Sequence, residues 1–195
     1  MHNQEIEFRD GKISKIVPAE NNRPFDFENL APALVDIHIN GGEEMHFTHS
    51  PNAACLQDIE TASAKNGCGY VLPTLITSSI NNIWDGINAT REFLDLNPKS
   101  GVLGLHLEGP FINPIKRGAH LTKYILKPTD SLIAEIIEKG DGIVKMITIA
   151  PELFTDHQIK TLINAGIRVS AGHSNATFNQ AQHAFGLGIQ LVTHL

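Results

Sequence analysis

The stretch GVLGLHLEGP, residues 101–110, decides the fold because it is a short apolar strand that ends in polar side chains. Five further apolar runs share this pattern, and helical segments separate them along the chain. They are LVDIHI (34–39), YVLPTLIT (70–77), IVKMITIAPE (143–152), RVSAGHS (168–174) and IQLVTHL (189–195). Runs that are apolar on both faces are typical of parallel strands covered by helices. The alternation therefore predicts six consecutive β/α units and an α/β fold.

Polar residues at the carboxyl ends of these runs favour a (β/α)8 TIM barrel over an open, doubly wound sheet, which fits the alternation equally well. These residues are His38, Thr77, Glu108, Glu152, His173 and His194. In (β/α)8 enzymes the active site lies at these strand ends. A complete barrel usually needs ~250 residues, so we expect residues 33–195 to hold strands 1–6 of a barrel and the chain to be a fragment.

The segments between the runs carry the spacing and capping residues of helices. They predict helices near residues 52–65, 80–96, 129–139, 155–165 and 176–186. Before the first run, QEIEFRDGKISKIV (4–17) predicts a β-hairpin that turns at Asp10-Gly11. The Pro- and Asn-rich residues 18–32 predict a connection.

Composition excludes several classes of partner. The net charge of −6 argues against binding of nucleic acid or an anionic membrane, although a phosphorylated small molecule remains compatible with it. Two cysteines, Cys55 and Cys68, form no metal-binding or disulfide framework and predict reduced thiols. The charged N-terminus has no apolar signal segment, and no stretch reaches a membrane-spanning length. We therefore expect a cytoplasmic protein.

Glu108, His173 and His194 form the strongest candidate site, a single divalent metal centre. Each follows an apolar strand and is expected to turn inward at the mouth of the barrel. Two imidazoles and one carboxylate leave an open position on the metal, which is typical of catalytic sites, and the metal then activates bound water. Singly, each residue has an ordinary structural interpretation, such as a hydrogen-bonded histidine or a turn anchor.

Other polar residues near the strand ends leave two interpretations open. His38 and Asn40 point the same way and form half of an H-x-H metal motif, so ligation and hydrogen bonding to substrate or ligands are equally compatible. His106 shares the face of Glu108, either as a support for it or as a core histidine. His120 lies on the long loop after the third run, where substrate contact and solvent exposure are both ordinary. The basic pair Lys116-Arg117 could attract a phosphate, but exposed charges that favour solubility are the better interpretation.

Long motifs in this order resemble a known enzyme family. They are LAPALVDIHINGG (30–42), GLHLEGPFINPIKRGAH (104–120), VSAGHSNATFNQAQHA (169–184) and the closing THL. Together they are similar to the N-terminal half of N-acetylglucosamine-6-phosphate deacetylases, which belong to the metal-dependent hydrolases of the amidohydrolase superfamily. The resemblance implies hydrolysis of N-acetylglucosamine 6-phosphate to glucosamine 6-phosphate and acetate in amino-sugar metabolism.

Matched position by position, the resemblance implies that Glu108, His173 and His194 bind the metal. The expected cofactor is zinc or iron, with one or two ions per subunit. His38 is a further candidate ligand, because the first-strand pair differs between family members with one and with two metals.

For the substrate, the resemblance implies contacts from Ala119, His120 and Asn40. The family's proton-shuttling aspartate, a second substrate-binding histidine and a phosphate-binding arginine would lie beyond Leu195. No catalytic residue is therefore expected within the chain, which should not turn over by itself.

The resemblance also implies that residues 1–32 form part of a small β-sandwich domain and that the enzyme is a homodimer. Two alternatives stay open at this point. One is an amidohydrolase that cleaves a different N-acyl or cyclic amide, and the other is a non-catalytic sugar-phosphate-binding protein that ends at residue 195.

Overall fold

The computed structural model describes residues 4–19, 26–27 and 29–194. The chain divides into two compact units, Met1–Pro32 and Ala33–Leu195. Part of the predicted connection, residues 20–25 and 28, and the final residue of the THL motif lie outside the described residues. The β-sandwich interpretation of residues 1–32 stays a prediction.

The first unit contains the predicted β-hairpin. Strands β1 (Gln4–Arg9) and β2 (Lys12–Pro18) pair antiparallel. Asp10 and Gly11 join them with φ values of 52° and 73°. Positive φ at both central residues of a two-residue loop matches the right-handed twist of the strands, which explains why Asp-Gly is a strong hairpin signal.

The second unit is an incomplete (β/α)8 barrel, which confirms the predicted fold class. Its six strands lie in chain order in one sheet, and every neighbouring pair is parallel. The strands are β3 (Leu34–Ile39), β4 (Cys68–Ile76), β5 (Leu105–Glu108), β6 (Val144–Ile149), β7 (Arg168–Ala171) and β8 (Leu191–Val192). The helices that connect them are α1 (Ala53–Lys65), α2 (Ile80–Leu96), α3 (Asp130–Lys139), α4 (Asp156–Asn164) and α5 (Phe178–Gly186).

Side-chain caps explain why the predicted helix starts are accurate. The Asn52 side chain accepts a hydrogen bond from the Cys55 N–H at the start of α1, and Ser79 caps α2 in the same way. Thr155 and Thr177 form capping boxes with the glutamines three residues later. Each cap satisfies backbone N–H groups that have no partner within the helix.

Several strands are shorter than the apolar runs that predict them. The run 101–110 contributes only Leu105–Glu108, because Gly104 has a φ of 138° and interrupts the extended backbone before it. The run 168–174 ends its pairing at Ala171, and His173 adopts a φ of 48°. The apolar pattern alone does not reveal these backbone turns.

Alternation along the strands separates an apolar layer from a polar one. Leu105 and Leu107 of β5 are fully buried in the main hydrophobic cluster, which α2 and α4 also join. The alternating residues His106 and Glu108 are also buried, and they contact polar groups that lie on or after other strands of the sheet. Because successive side chains on a strand point to opposite faces, the apolar layer supports the helices while the polar layer lines the barrel interior.

None of the described helices combines the length and the apolar character that crossing a membrane requires.

The Leu105→Ala substitution is expected to lower the free energy of unfolding by about 2–5 kcal/mol, because it leaves a cavity at a fully buried position. Urea denaturation measures the loss. Leu96→Ala is the matched control, since Leu96 is 80% exposed and should change stability by less than about 0.5 kcal/mol. Equal losses in the two variants would contradict the placement of the core.

Candidate metal centre

A single buried carboxylate, that of Glu108 at the end of β5, lies at the centre of the candidate site. Glu108 is only 2% exposed. Its Oε1 lies 2.9 Å from Nε2 of His173 and 2.8 Å from Nε2 of His194. Its Oε2 lies 3.3 Å from Nε2 of His38 and 3.8 Å from Nε2 of His120. Four imidazoles from separate parts of the chain therefore converge on one carboxylate.

The donor atoms are close enough to share a cation. His38, Glu108 and His194 each offer one ligand atom within 4.8 Å of the others, and so do Glu108, His120 and His173. Imidazole nitrogens and a carboxylate oxygen are the ligands that Zn²⁺ and Fe²⁺ bind in proteins. The residues present thus fit a divalent transition-metal ion, with Glu108 common to both groups.

The backbone at two of these histidines is left-handed. His173 has a φ of 48° and His194 a φ of 61°, a region that residues other than glycine rarely occupy. Such conformations cost about 1–3 kcal/mol each and are found mainly where surrounding contacts enforce them. Here the turn comes just after strands β7 and β8 and directs both imidazoles to Oε1 of Glu108.

The second ring nitrogen of His173 orients its imidazole. Nδ1 lies 2.9 Å from the backbone carbonyl oxygen of Lys116, which can only accept, so Nδ1 carries the proton. Nε2 then holds a second proton when it donates to the Glu108 carboxylate. The hydrogen bond to Glu108, supported by the Lys116 carbonyl, accordingly raises the pKa of His173. A metal ion would take the place of the Nε2 proton.

His120 is held by Thr77, at the end of β4. Nδ1 of His120 lies 2.8 Å from Oγ1 of Thr77, and the same hydroxyl donates to the Glu108 carbonyl oxygen at 3.2 Å. Because the Thr77 hydroxyl donates its proton to the Glu108 carbonyl oxygen, it accepts a hydrogen bond from Nδ1–H of His120. The other ring nitrogen of His120, Nε2, therefore carries a lone pair that faces the Glu108 carboxylate. Burial is the main reason that the pKa of His120 falls to about 4. The exposed Arg117 guanidinium donates to the His120 carbonyl oxygen, which stabilises this loop.

Glycine is required next to the central carboxylate. Gly109 has a φ of 94°, and a β-carbon there would overlap Oγ1 of Thr77. The Thr77 hydroxyl can therefore approach the backbone after β5 only because residue 109 has no side chain. This close approach allows Thr77 to contact Glu108 and His120 at the same time.

His38 and Asn40, the pair on the first strand of the barrel, differ in their surroundings. The His38 ring lies 4.9 Å from the His106 ring, edge to face, and 5.4 Å from the His194 ring. The Oδ1 atom of Asn40 is buried and has no hydrogen-bond partner within the described residues. Asn40 therefore offers a free polar atom, as expected of a group that binds a ligand. Ala119, the other predicted substrate contact, is exposed directly before His120.

The charges at the site favour an ionised Glu108. Burial alone would raise its pKa, but the hydrogen bonds from His173 and His38, together with the electrostatic attraction by His38, outweigh that effect and lower the pKa below its usual range. Burial, and next the charge of His38, lowers the pKa of His106 to about 3. The site in its metal-free state thus holds an anionic carboxylate, with neutral imidazoles at His106 and His120.

Glu152 has a role that the sequence pattern does not reveal. It follows β6 but does not point at the metal centre. Its Oε1 accepts hydrogen bonds from Asn113 Nδ2 at 3.0 Å and from the Asn175 N–H at 2.6 Å, and its Oε2 accepts one from Ser174 Oγ at 2.6 Å. Glu152 therefore ties the segment after His173 to the loop after β5. A Ser-Asn pair directly after a predicted ligand is the only hint of this contact in the sequence.

Comparison with known proteins identifies the family. The sequence model of the amidohydrolase family matches residues 29–195. The chain belongs to the amidohydrolase family. It is 38% identical to the N-acetylglucosamine-6-phosphate deacetylase of Haemophilus influenzae over 167 residues, which cover 86% of this chain and 43% of that protein. It is 33% identical to the N-acetylgalactosamine-6-phosphate deacetylase of a Shewanella strain over 166 residues, which cover 85% of this chain and 42% of that protein.

A solved structure shows the same fold. The crystal structure of N-acetylglucosamine-6-phosphate deacetylase from Pasteurella multocida matches with a TM-score of 0.89 and 31% sequence identity. The match covers 100% of this chain and 52% of that one. This amidohydrolase chain thus spans about half the length of the relatives it matches.

The metal-free amidohydrolase chain should lose stability as the pH falls below about 6.5, the usual pKa of an unfolded histidine. The pKa values of His106 and His120 are about 3 and about 4 in the folded state. At pH values between the folded and the unfolded pKa, each of these two histidines binds a proton in the unfolded chain but not in the folded one. Each therefore lowers the free energy of unfolding by up to ~1.4 kcal/mol for every pH unit of acidification in that range. His173 has the opposite effect, because its pKa is raised in the folded state. Its contribution to stability is lost as the pH rises through that folded-state pKa.

Urea denaturation in the presence of EDTA at several pH values between about 5 and 8 measures this dependence, with maximal stability expected near neutral pH. His106→Gln should flatten the acidic side of the curve. His157→Gln, at an exposed position on α4, should leave the curve unchanged. A curve for the unsubstituted chain that is flat below about pH 6.5 would contradict the burial of neutral imidazoles.

Proposed function

We propose that the complete protein is a metal-dependent deacetylase that hydrolyses N-acetylglucosamine 6-phosphate to glucosamine 6-phosphate and acetate. The observation that carries the proposal is the convergence of four imidazoles on the buried Glu108 carboxylate at the mouth of the barrel. The amidohydrolase family assignment and the relatives described above support the same reaction class and substrate.

We propose Glu108, His173 and His194 as the metal ligands, with His38 as a further ligand. The His173 and His194 nitrogens approach the same carboxylate oxygen, whereas His38 approaches the other one. Because the His173 and His194 nitrogens lie 2.9 and 2.8 Å from one carboxylate oxygen, we expect one principal ion, zinc or iron, and the approach of His38 to the other oxygen makes a second ion the alternative. When bound, the metal supplies Lewis-acid activation of water and of the substrate carbonyl.

Substrate contacts are proposed for Asn40, His120 and the backbone at Ala119. The unpartnered Oδ1 of Asn40 is available to accept a hydrogen bond from the amide or a sugar hydroxyl. His120 is neutral and fixed by Thr77, so its Nε2 is available at the site without competition from solvent. The groups that transfer protons and bind the phosphate are expected outside this chain.

A second candidate substrate is N-acetylgalactosamine 6-phosphate. The Shewanella relative bears the name of a deacetylase for that sugar and is 33% identical to this chain. The two sugars differ only in the configuration at C4.

Two further expectations stay predictions. The homodimer and the cytoplasmic location derive from the sequence and the family resemblance.

The test is acetate release by the full-length gene product, loaded with zinc or iron, from both 6-phosphorylated N-acetyl sugars. We expect turnover of at least one of them and little of the unphosphorylated sugar. Activity restricted to non-sugar amides would favour a different amidohydrolase reaction. Absence of activity with every divalent metal would overturn the proposed function.

Glu108→Gln is expected to weaken metal binding by more than about 100-fold, since loss of a ligand should exceed the 10–100-fold effect typical of an outer-shell partner. Chelator competition and elemental analysis measure the change. Glu135→Gln is the control, because Glu135 is partly exposed on α3 and its ion pair within the described residues is with Lys139. Retention of bound metal by the Glu108 variant would remove Glu108 from the ligand set.

A further inference from the structure

Five buried polar side chains form one layer of the barrel interior beneath the metal centre. We call them the hydroxyl layer: Thr74, His106, Thr148, Ser170 and Thr193. The first four belong to strands β4, β5, β6 and β7, and Thr193 directly follows β8. Four of the five are fully buried, and Thr193 is 7% exposed. Polar groups this deep must find partners within the protein.

The layer is one continuous chain of hydrogen bonds. His106 contacts Thr74 Oγ1 through Nδ1 at 3.1 Å and Thr148 Oγ1 through Nε2 at 2.8 Å. Thr148 Oγ1 lies 2.9 Å from Thr193 Oγ1, which in turn lies 2.7 Å from Ser170 Oγ. Five strands of the barrel are therefore linked through side chains as well as through backbone pairing.

The hydrogen bonds of the hydroxyl layer all run in one donor-to-acceptor direction. The Thr74 hydroxyl donates to the Leu72 carbonyl oxygen, so it must accept from His106 Nδ1–H. A neutral imidazole with its proton on Nδ1 accepts at Nε2, so Thr148 donates to His106. Thr148 must then accept from Thr193, and Thr193 from Ser170. Every hydroxyl uses its one proton, which leaves no donor unpaired.

The layer lies directly beneath the proposed ligands. His106 precedes Glu108 by two residues, Ser170 precedes His173 by three, and Thr193 precedes His194. The link matters most for His194, because β8 has only two residues and its pairing with β7 ends at Val192. Beyond that point, Thr193 is held by one backbone hydrogen bond, to Ala171 at 2.9 Å, and by its two hydroxyl contacts.

A close approach around Thr193 indicates that its position is tightly set. A β-carbon at Gly172 would lie 2.8 Å from Thr193 Cβ and 2.7 Å from Thr148 Cγ2. The absence of a side chain at residue 172 thus lets both threonines pack beneath the turn that carries His173. With Thr193 fixed, the left-handed backbone of His194 directs its imidazole to Glu108.

We propose that the hydroxyl layer is a positioning device for the metal centre, in which Thr193 sets the placement of His194 relative to Glu108. The proposal rests on the metal ligands named under the proposed function. In this proposal, Thr193, Thr148 and Ser170 contact neither the metal nor the substrate. They act through the backbone and strand ends that carry the ligands.

The test compares metal binding by variants of the full-length protein that differ by one hydroxyl. Thr193→Val removes both contacts without changing side-chain shape much, and Thr193→Ser keeps them. Thr90→Val is the matched control, because Thr90 is fully buried and its hydroxyl donates only to Gly86 within α2. The readouts are the dissociation constant for Zn²⁺ by chelator competition, the visible absorption of the Co²⁺-loaded protein, and thermal unfolding of the metal-free protein.

We expect Thr193→Val to weaken Zn²⁺ binding by about 10–100-fold, as is typical for loss of an outer-shell partner, and to change the Co²⁺ spectrum. Thr193→Ser should restore both properties. Thr90→Val should lower thermal stability alone. An unchanged dissociation constant and Co²⁺ spectrum in Thr193→Val would overturn the proposal, and so would an equal loss of affinity in Thr90→Val.

Two further measurements keep the test decisive if Thr193→Val does not fold. Ser170→Ala should weaken Zn²⁺ binding in the same direction by a smaller factor, and unchanged binding would count against the layer. In the unsubstituted protein, imidazole ¹⁵N spectra should show His106 protonated on Nδ1, and protonation on Nε2 would contradict the direction of the chain. If the unsubstituted protein binds no metal, the proposed metal centre fails as well; if it binds metal without deacetylating any sugar, only the proposed function fails.

Discussion

The burial of the Glu108 carboxylate is the constraint on which the rest of the site depends. An ionised carboxylate removed from water is unfavourable unless charges and hydrogen bonds compensate it. Here hydrogen bonds from His173 and His38 are the main compensation, and His173 and His194 require left-handed backbone to reach the carboxylate. The strand ends and loops are therefore arranged around one negative charge, which is also the natural place for a cation.

Two of the four imidazoles around Glu108 are fixed by a hydrogen bond from their second ring nitrogen. A backbone carbonyl orients His173, and a threonine hydroxyl orients His120. Glu152 also helps to fix His173, because it accepts hydrogen bonds from the two residues that directly follow it. Outer contacts of this kind generally determine how well a metal site holds its ion and how basic its ligands are.

The sequence predicts the fold well because the signals are local. Apolar runs, capping residues and the Asp10-Gly11 turn each act within a few residues, and all point to the same architecture. The convergence of Glu108, His173 and His194 is likewise foreseeable, because parallel strands bring their carboxyl ends to one edge. What the pattern leaves open depends on loops. His120 reaches the site through its contact with Thr77, which lies 43 residues earlier in the chain. The sequence carries no periodic signal for a contact of this kind.

The close contact between Gly109 and Thr77 has a consequence for how this site can vary during evolution. Any side chain at position 109 would need a residue without a hydroxyl at position 77, yet loss of that hydroxyl would release His120 from its partner. The three positions are therefore epistatic, and a change at one is tolerated only together with changes at the others. Lineages with a different residue at 109 should have rebuilt the support of the loop histidine as well.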